Sequence, residues 1–206
     1  MLFLGSCPLL AQDEQPVPRL FSFDVSPQVG MRTTLGFNTD VGVEGTTGRV
    51  SIESGPSFGV GAGVRYNDED VVEFRWARQN THMRITGGPI PFRQRVTLDQ
   101  FHLDCSHEYF VEGWPDWARP FVIGSIGVTH VSSTANSASF TRFSFGIGGG
   151  VKAFVNPHVG FKMQAQWLPL WINPEVTAFC SVGCVLHIHG QLASQGEVTF
   201  GPVFRF

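Results

Sequence analysis

"HVGFKMQAQW", residues 158–167, sets Val159, Phe161, Met163, Ala165 and Trp167 on one parity and His158, Gly160, Lys162, Gln164 and Gln166 on the other. Successive side chains of a strand point to opposite sides, so this unbroken alternation is a strand with one apolar and one polar face. At a period of 3.6 the same apolar residues scatter around the whole circumference, which excludes an amphipathic helix.

The pattern recurs along the chain. In residues 21–32 Phe21, Phe23, Val25, Val29 and Met31 oppose Ser22, Asp24, Ser26, Gln28 and Arg32. In 57–66 Phe58, Val60, Ala62, Val64 and Tyr66 oppose Gly59, Gly61, Gly63 and Arg65. Residues 142–154 set Phe143, Phe145, Ile147, Val151 and Ala153 against Arg142, Ser144, Gly146, Gly148, Gly150 and Lys152. Residues 197–206 set Val198, Phe200, Pro202, Phe204 and Phe206 against Glu197, Thr199, Gly201 and Arg205, with Val203 the exception. The segments 71–79, 98–110 and 118–131 alternate less cleanly. Together these make eight strands of roughly ten residues, the length that crosses a bilayer core when tilted.

Connections alternate in length. Those at 67–70, 111–118 and 156–158 are short, whereas 37–54, 84–95, 132–138 and 169–190 are long and rich in Gly, Thr, Ser and Asn. Short turns at one end and long loops at the other are how transmembrane barrels are organised, with the short turns periplasmic.

Composition agrees. Charged residues are only 15% of the chain, while Gly (24) and Phe (19) abound, which favours strands and turns. A net charge of -3 with the Lys and Arg scattered singly excludes a nucleic-acid-binding role. Every apolar run is broken well short of the roughly 18 residues that a spanning helix needs, so a membrane would be crossed by strands.

The polar faces are rich in Gly and suit a cramped interior, and the apolar faces carry Phe repeatedly and suit lipid. The expected fold is therefore all-β, an eight-stranded antiparallel up-and-down transmembrane β-barrel over residues 19–206, with apolar residues outward. Without water in the bilayer core every amide must be paired, so the sheet closes. Eight strands enclose a space that side chains fill. The expected filling is a polar network of Asp24, Arg32, Arg65, Glu73, Arg75, His102, Asp104, Glu108, Arg142, Lys152, Lys162, Gln164, Gln166, Glu197 and Arg205. Both signs are present, and mutual pairing offsets the cost of burying them.

Residues 1–18 read as an export-signal remnant and linker, an apolar run followed by a polar, Pro-bearing segment; Cys7 also has the spacing of a lipidation box. The end of the chain, Thr199-x-Gly201-x-x-Phe204-x-Phe206, resembles the β-signal of bacterial outer-membrane proteins. From about residue 19 onward the chain resembles the small OmpA-like outer-membrane β-barrel proteins, through stretches such as "RFSFGIGGGVKAFVNPHVGFK" (142–162) and "SQGEVTFGPVFRF" (194–206). The resemblance implies a Gram-negative outer-membrane location, and recognition of Thr199, Gly201, Phe204 and Phe206 by the assembly machinery. Its implied partners are outer-membrane lipid and lipopolysaccharide, that machinery and periplasmic chaperones, with the barrel monomeric. It lacks the peptidoglycan-binding domain of full-length outer membrane protein A, so cell-wall tethering does not carry over.

Cys180 and Cys184 read as a disulfide closing a tight loop in an oxidising compartment; with His187 and His189 nearby, a Zn site is the alternative. Cys105 falls on lipid-facing parity. His130-x-Ser132 resembles the His and Ser of outer-membrane lipid A deacylases, which add a Glu, and no Glu follows here at a suitable distance. Trp114, Trp117, Trp167 and Trp171 fall near strand ends, as interfacial aromatic girdles do. The expected role is non-catalytic and cofactor-free, structural or surface-interacting. The alternatives are a narrow channel, a carrier of small apolar ligands, or a lipid A-modifying enzyme.

Overall fold

The computed structural model describes residues 21–34, 37–41, 47–86, 92–115, 117–133, 139–171, 186–187 and 192–206. Its strands are β1 (Ser22–Thr34), β2 (Phe37–Val41), β3 (Thr47–Ile52), β4 (Gly55–Arg65), β5 (Asp70–Thr86), β6 (Phe92–Glu108), β7 (Ala118–Ser133), β8 (Ser139–Asn156), β9 (Val159–Trp167), β10 (Leu170–Trp171), β11 (Leu186–His187), β12 (Leu192–Ala193) and β13 (Gln195–Arg205). Eight of them, β1, β4 to β9 and β13, pair antiparallel with their neighbours in chain order. The last returns to the first through Asp24 opposite Arg205 and Arg32 opposite Glu197, which closes the barrel.

The pairings fix the geometry. From Val29 one rank of paired residues runs through Phe58, Arg78, Asp99 and His130 to Thr141, and the opposite way through Phe200 and Met163 to Val151. Both arrivals are on β8, ten residues apart, so the shear number is ten. For eight strands that corresponds to a tilt of about 40° and an advance of roughly 2.5 Å along the barrel axis per residue.

Each short turn has its own device. Asn67 Oδ1 accepts the backbone N–H of Glu69 at 2.9 Å and that of Asp70, and Asn156 Oδ1 accepts those of His158 at 2.9 Å and Val159 at 2.8 Å. The longer turn between β6 and β7 reverses through Gly113 at φ +86°, a conformation that favours glycine.

Strand lengths depart from the expected ones. Strands β5 and β6 have 17 residues each and β7 has 16, while β9 has 9 and β13 has 11. The loop expected at 84–95 is thus largely strand, and 37–54 contains β2 and β3. The barrel wall is tall over β5 to β8 and low over β9, β13 and β1.

The extra length explains the irregular alternation of the three less clean segments. Near the periplasmic end and through the middle, Phe74, Phe101, Leu103, Ile126 and Val128 face outward, while Glu73, Arg75, His102 and Asp104 are buried inward. Beyond the rank Arg78–Asp99–His130–Thr141 the outward face turns polar and the inward face becomes mixed, with apolar residues among the buried Gln79, Thr81, Gln94 and Ser133. Asn80, His82, Arg84, Arg93, Arg95, Thr97 and Ser132 lie on the outward parity, and Met83, Val96, Leu98 and Val131 are buried within. Lipid surrounds the lower barrel and water the upper, so one strand obeys two patterns in succession. The outward apolar belt, from Phe21, Tyr66 and Phe206 up to Trp76, Val128 and Phe143, is roughly 25 Å tall, which matches an outer-membrane hydrocarbon layer.

Candidate functional site

The inward face is built in tiers of charge. Nearest the periplasm, Glu108 accepts from Arg65 Nη2 at 2.5 Å and Lys152 Nζ at 2.7 Å, and Asp24 takes Arg205 at two points, 2.9 and 3.2 Å. Phe121 points inward here and puts its ring 5.5 Å from Lys152 Nζ and 5.8 Å from Lys162 Nζ. Its electron-rich face stands in for an anion, which accounts for an aromatic among lysines. One tier up, Lys162 Nζ donates to Glu73 Oε1 at 2.8 Å, and Ser26 Oγ donates to Glu73 Oε2 at 3.3 Å.

The next tier is a chain of four. Arg75 Nε donates to Asp104 Oδ2 at 2.7 Å, Arg75 Nη1 to Glu197 Oε2 at 3.2 Å, and Arg32 Nη2 to Glu197 Oε1 at 2.7 Å. His102 bridges Ser144 (2.9 Å) and Ser125 (3.3 Å) beside it. Amides and hydroxyls tie the tiers together. Gln164 donates to Gln28 Oε1 at 3.2 Å, Thr199 Oγ1 donates to the same oxygen at 3.0 Å, and Gln100 donates to Gln195 Oε1 at 3.1 Å. Above them Leu98 and Leu168, both fully buried, close the interior with Val96, Val131 and Leu170.

Of the residues expected inside, thirteen are buried, Asp24, Arg32, Arg65, Glu73, Arg75, His102, Asp104, Glu108, Lys152, Lys162, Gln164, Gln166 and Glu197, and Arg205 joins them through Asp24 with 17% of its side chain exposed. Arg142 stands apart near the outer rim, its guanidinium 5.3 Å from the Phe140 ring and donating to the Thr141 carbonyl at 2.9 Å. Its strand parity is inward, but at that height the interior carries no carboxylate among the described residues. Sequence reasoning passed over Gln28, Gln79, Gln100, Gln195, Thr129 and Ser144, all buried; extending strand parity to neutral polar residues would have found them. Val203, the exception to the last strand's alternation, is buried inward.

Of the end-of-chain residues, Thr199 is buried, Phe204 and Phe206 face outward, and Phe206 exchanges backbone hydrogen bonds with Phe23 at 2.9 and 3.1 Å. Cys105 is exposed on the outer face. Trp114, Trp117 and Trp167 are exposed at strand ends, and Trp76 adds another large aromatic at the outer edge of the belt. His130 Nδ1 bonds Thr141 Oγ1 at 2.8 Å. Asp99, opposite His130 in register, is held by Arg78 and by Trp76 Nε1. Residues 1–18, Cys7, Cys180, Cys184 and His189, and the side chains of Trp171 and His187, lie outside what the structure describes.

A closed antiparallel barrel with an apolar belt of bilayer height and an ion-paired interior defines a transmembrane barrel of the bacterial outer membrane. The chain belongs to the outer membrane protein beta-barrel domain family, which matches residues 2–173. Among solved structures it is similar to OprG of Pseudomonas aeruginosa, with 13% identity, TM-score 0.61 and coverage of 90% of this chain and 95% of that one. It is also similar to outer membrane protein AlkL, determined in DMPC bilayers, with 10% identity, TM-score 0.59 and coverage of 99% and 97%. Neisserial surface protein A gives 11% identity, TM-score 0.56 and coverage of 90% and 97%. These likenesses show the shared fold. No curated protein matches the chain.

Proposed function

We propose that this barrel is a non-catalytic outer-membrane protein with a filled interior, whose role is structural or is exercised by its outer surface. The observation that carries the reading is the ion-pair ladder: the buried carboxylates Asp24, Glu73, Asp104, Glu108 and Glu197 each engage a cation at 2.9 Å or less, tier upon tier. An ion entering would have to displace a partnered charge in a water-poor interior, which costs several kcal/mol. On the outer wall, Asp99, the carboxylate opposite His130 in register, is engaged by Arg78 and Trp76 and is not available to orient that histidine toward Ser132. Planar-bilayer recording tests the plug: the folded chain leaves the bilayer silent, and steady unit conductance overturns the reading.

A second reading, a carrier of small apolar ligands, draws on one feature. A groove of about 480 Å³ opens on the low side of the wall, lined by Met31, Thr33, Ala165, Trp167, Gly196 and Val198, where Gly196 leaves a gap between bulky neighbours. Uptake of an apolar dye by cells carrying the barrel, lost in Gly196→Trp, would favour this reading; uptake equal to that of barrel-free cells removes it.

A further inference from the structure

We propose that the outward face of β5 and β6, on the part of the wall that stands in water, docks an acidic polysaccharide chain through its carboxylates. The inference rests on the surface-acting role proposed above and not on the plug, so bilayer conductance would overturn the filled interior and leave this face as it is.

Two alternate cross-strand pairs here are basic against basic, His82 opposite Arg95 and Arg84 opposite Arg93. They lie six and eight residues beyond Trp76 and Phe101, the outermost large aromatics among the described outward residues of the two strands. At roughly 2.5 Å of axial advance per residue they stand about 15–20 Å above those rings, clear of the hydrocarbon. Like charges directly opposite one another destabilise a sheet, so the arrangement costs stability unless an anion sits on it. One carboxylate of the chain does so. Glu53 accepts from Arg84 Nη2 at 3.0 Å and from Arg93 Nε and Nη2 at 2.9 and 2.8 Å, and lies 3.7 Å from His82 Nδ1. Arg95 is exposed and makes no ion pair among the described residues. Three guanidiniums against one carboxylate leave a positive face on a chain whose net charge is -3.

Glu53 shows what this face accepts. Arg93 holds both of its carboxylate oxygens through two donors, the fork that a planar guanidinium offers to a carboxylate. Arg95 carries the same fork about 7 Å along β6 on the same side, and no carboxylate of the described residues engages it. An occupant with carboxylates in series fills Arg95 and competes with Glu53 for Arg84 and Arg93. The surrounding residues select among polyanions. Asn80, Thr97 and Ser51 share the face and offer hydrogen bonds to hydroxyls. No Phe, Tyr or Trp lies among the described outward residues of β3, β5 and β6 at this height, so nothing there stacks a nucleic-acid base or anchors a protein interface. A hydroxyl-rich chain with repeated carboxylates, an acidic polysaccharide, matches both the charges and the neutral polar surround.

The test uses the full chain folded into phosphatidylcholine nanodiscs and reads the anisotropy of a fluorescent oligogalacturonate, with its uncharged methyl ester for comparison. The unmutated barrel should bind the acid and not the ester, and more weakly as salt screens the charges. Arg84→Gln/Arg93→Gln/Arg95→Gln should weaken binding at least about tenfold, at roughly two- to fivefold for each exposed arginine, while keeping heat-modifiable gel mobility. Arg119→Gln at the other end should bind as the unmutated barrel does. Glu53→Gln, which releases Arg84 and Arg93, should tighten binding by roughly two- to fivefold. Undiminished binding by the triple variant overturns the site, and so does unchanged or weaker binding by Glu53→Gln. Equal binding of the methyl ester, of oligoglutamate or of oligodeoxythymidylate overturns the assignment to an acidic polysaccharide.

Discussion

Arg78 and Asp99 face each other on β5 and β6 outside the barrel and join at two points, 2.7 and 2.9 Å, with Trp76 Nε1 donating to the same carboxylate at 3.2 Å. The pair lies on the rank where the outward face turns from apolar to polar. Asp99 is 7% exposed although it points away from the interior, because the guanidinium and the indole cover it. Arg78→Ala therefore leaves a nearly covered carboxylate at the edge of the hydrocarbon, and should cost about 1–3 kcal/mol in urea unfolding from vesicles. Unchanged stability would mean that water reaches Asp99 freely.

Glu73 and Lys162 make a sharper case, since both side chains are at most 5% exposed and 2.8 Å apart. Removing one leaves an uncompensated charge, so Glu73→Met and Lys162→Met should each cost about 3–5 kcal/mol, and the double substitution much less than their sum. Simple additivity in the double-mutant cycle would show that the pair does not act as a unit.

These residues also show what the sequence makes legible. Strand parity alone places Glu73, Lys162, Arg32 and Glu197 inward, because lipid on one side and a cramped interior on the other force a clean period of two. It does not say who pairs with whom: Lys162 meets Glu73 across 89 positions of sequence, a distance set by shear and tilt. It misleads where the solvent changes. Above the Arg78–Asp99 rank, Leu98 and Val131 turn inward and Arg95 outward, which reads as faded alternation unless one knows where the membrane stops. Phe121 is illegible for another reason, since its place depends on Lys152 of the adjacent strand β8 and Lys162 of β9 beyond it.

Gly61 is a position where a missing side chain is needed. A Cβ there would sit 2.5 Å from the Glu73 carboxylate and 2.7 Å from Ser26 Oγ, and that carboxylate is tied to Lys162. Gly61→Ala should destabilise by about 1–3 kcal/mol. Gly124→Ala, whose Cβ meets nothing within 4 Å on the outer face, should be neutral or gain up to about 1 kcal/mol from reduced chain entropy. Equal effects of the two in guanidinium unfolding would contradict the packed interior.

Glu53 gives a pH dependence outside the membrane. Hydrogen bonding from Arg93, with the charges of Arg93 and Arg84, outweighs desolvation and lowers its pKa from 4.5 to about 2. A folded-state pKa below the unfolded one means that the stabilisation is complete above pH 4.5 and fades as pH falls through 2. Carbon-13 titration of the Glu53 carboxyl should give a midpoint near 2 in the unmutated barrel, and one returning toward 4.5 in Arg84→Gln/Arg93→Gln. A midpoint near 4.5 in both would mean that the arginines do not hold it.

Phe206 separates assembly from stability. Its backbone pairs with Phe23 at 2.9 and 3.1 Å to finish the seam between β13 and β1, whereas its ring, 69% exposed, touches little of the protein. Phe206→Ala keeps the seam and removes only the ring, so unfolding of barrels already in the membrane should shift by no more than about 2 kcal/mol, the contribution of one aromatic side chain to burial. Because the ring is the part that resembles a β-signal, the same substitution should lower outer-membrane yield several-fold, an effect on the order of 1 kcal/mol or more in the recognition step. Deleting the residue adds loss of both backbone bonds, and should lower yield and unfolding midpoint together. Quantified membrane fractions and in-vesicle unfolding of the two variants distinguish the contributions, and normal yield of Phe206→Ala would leave the ring without a part in assembly.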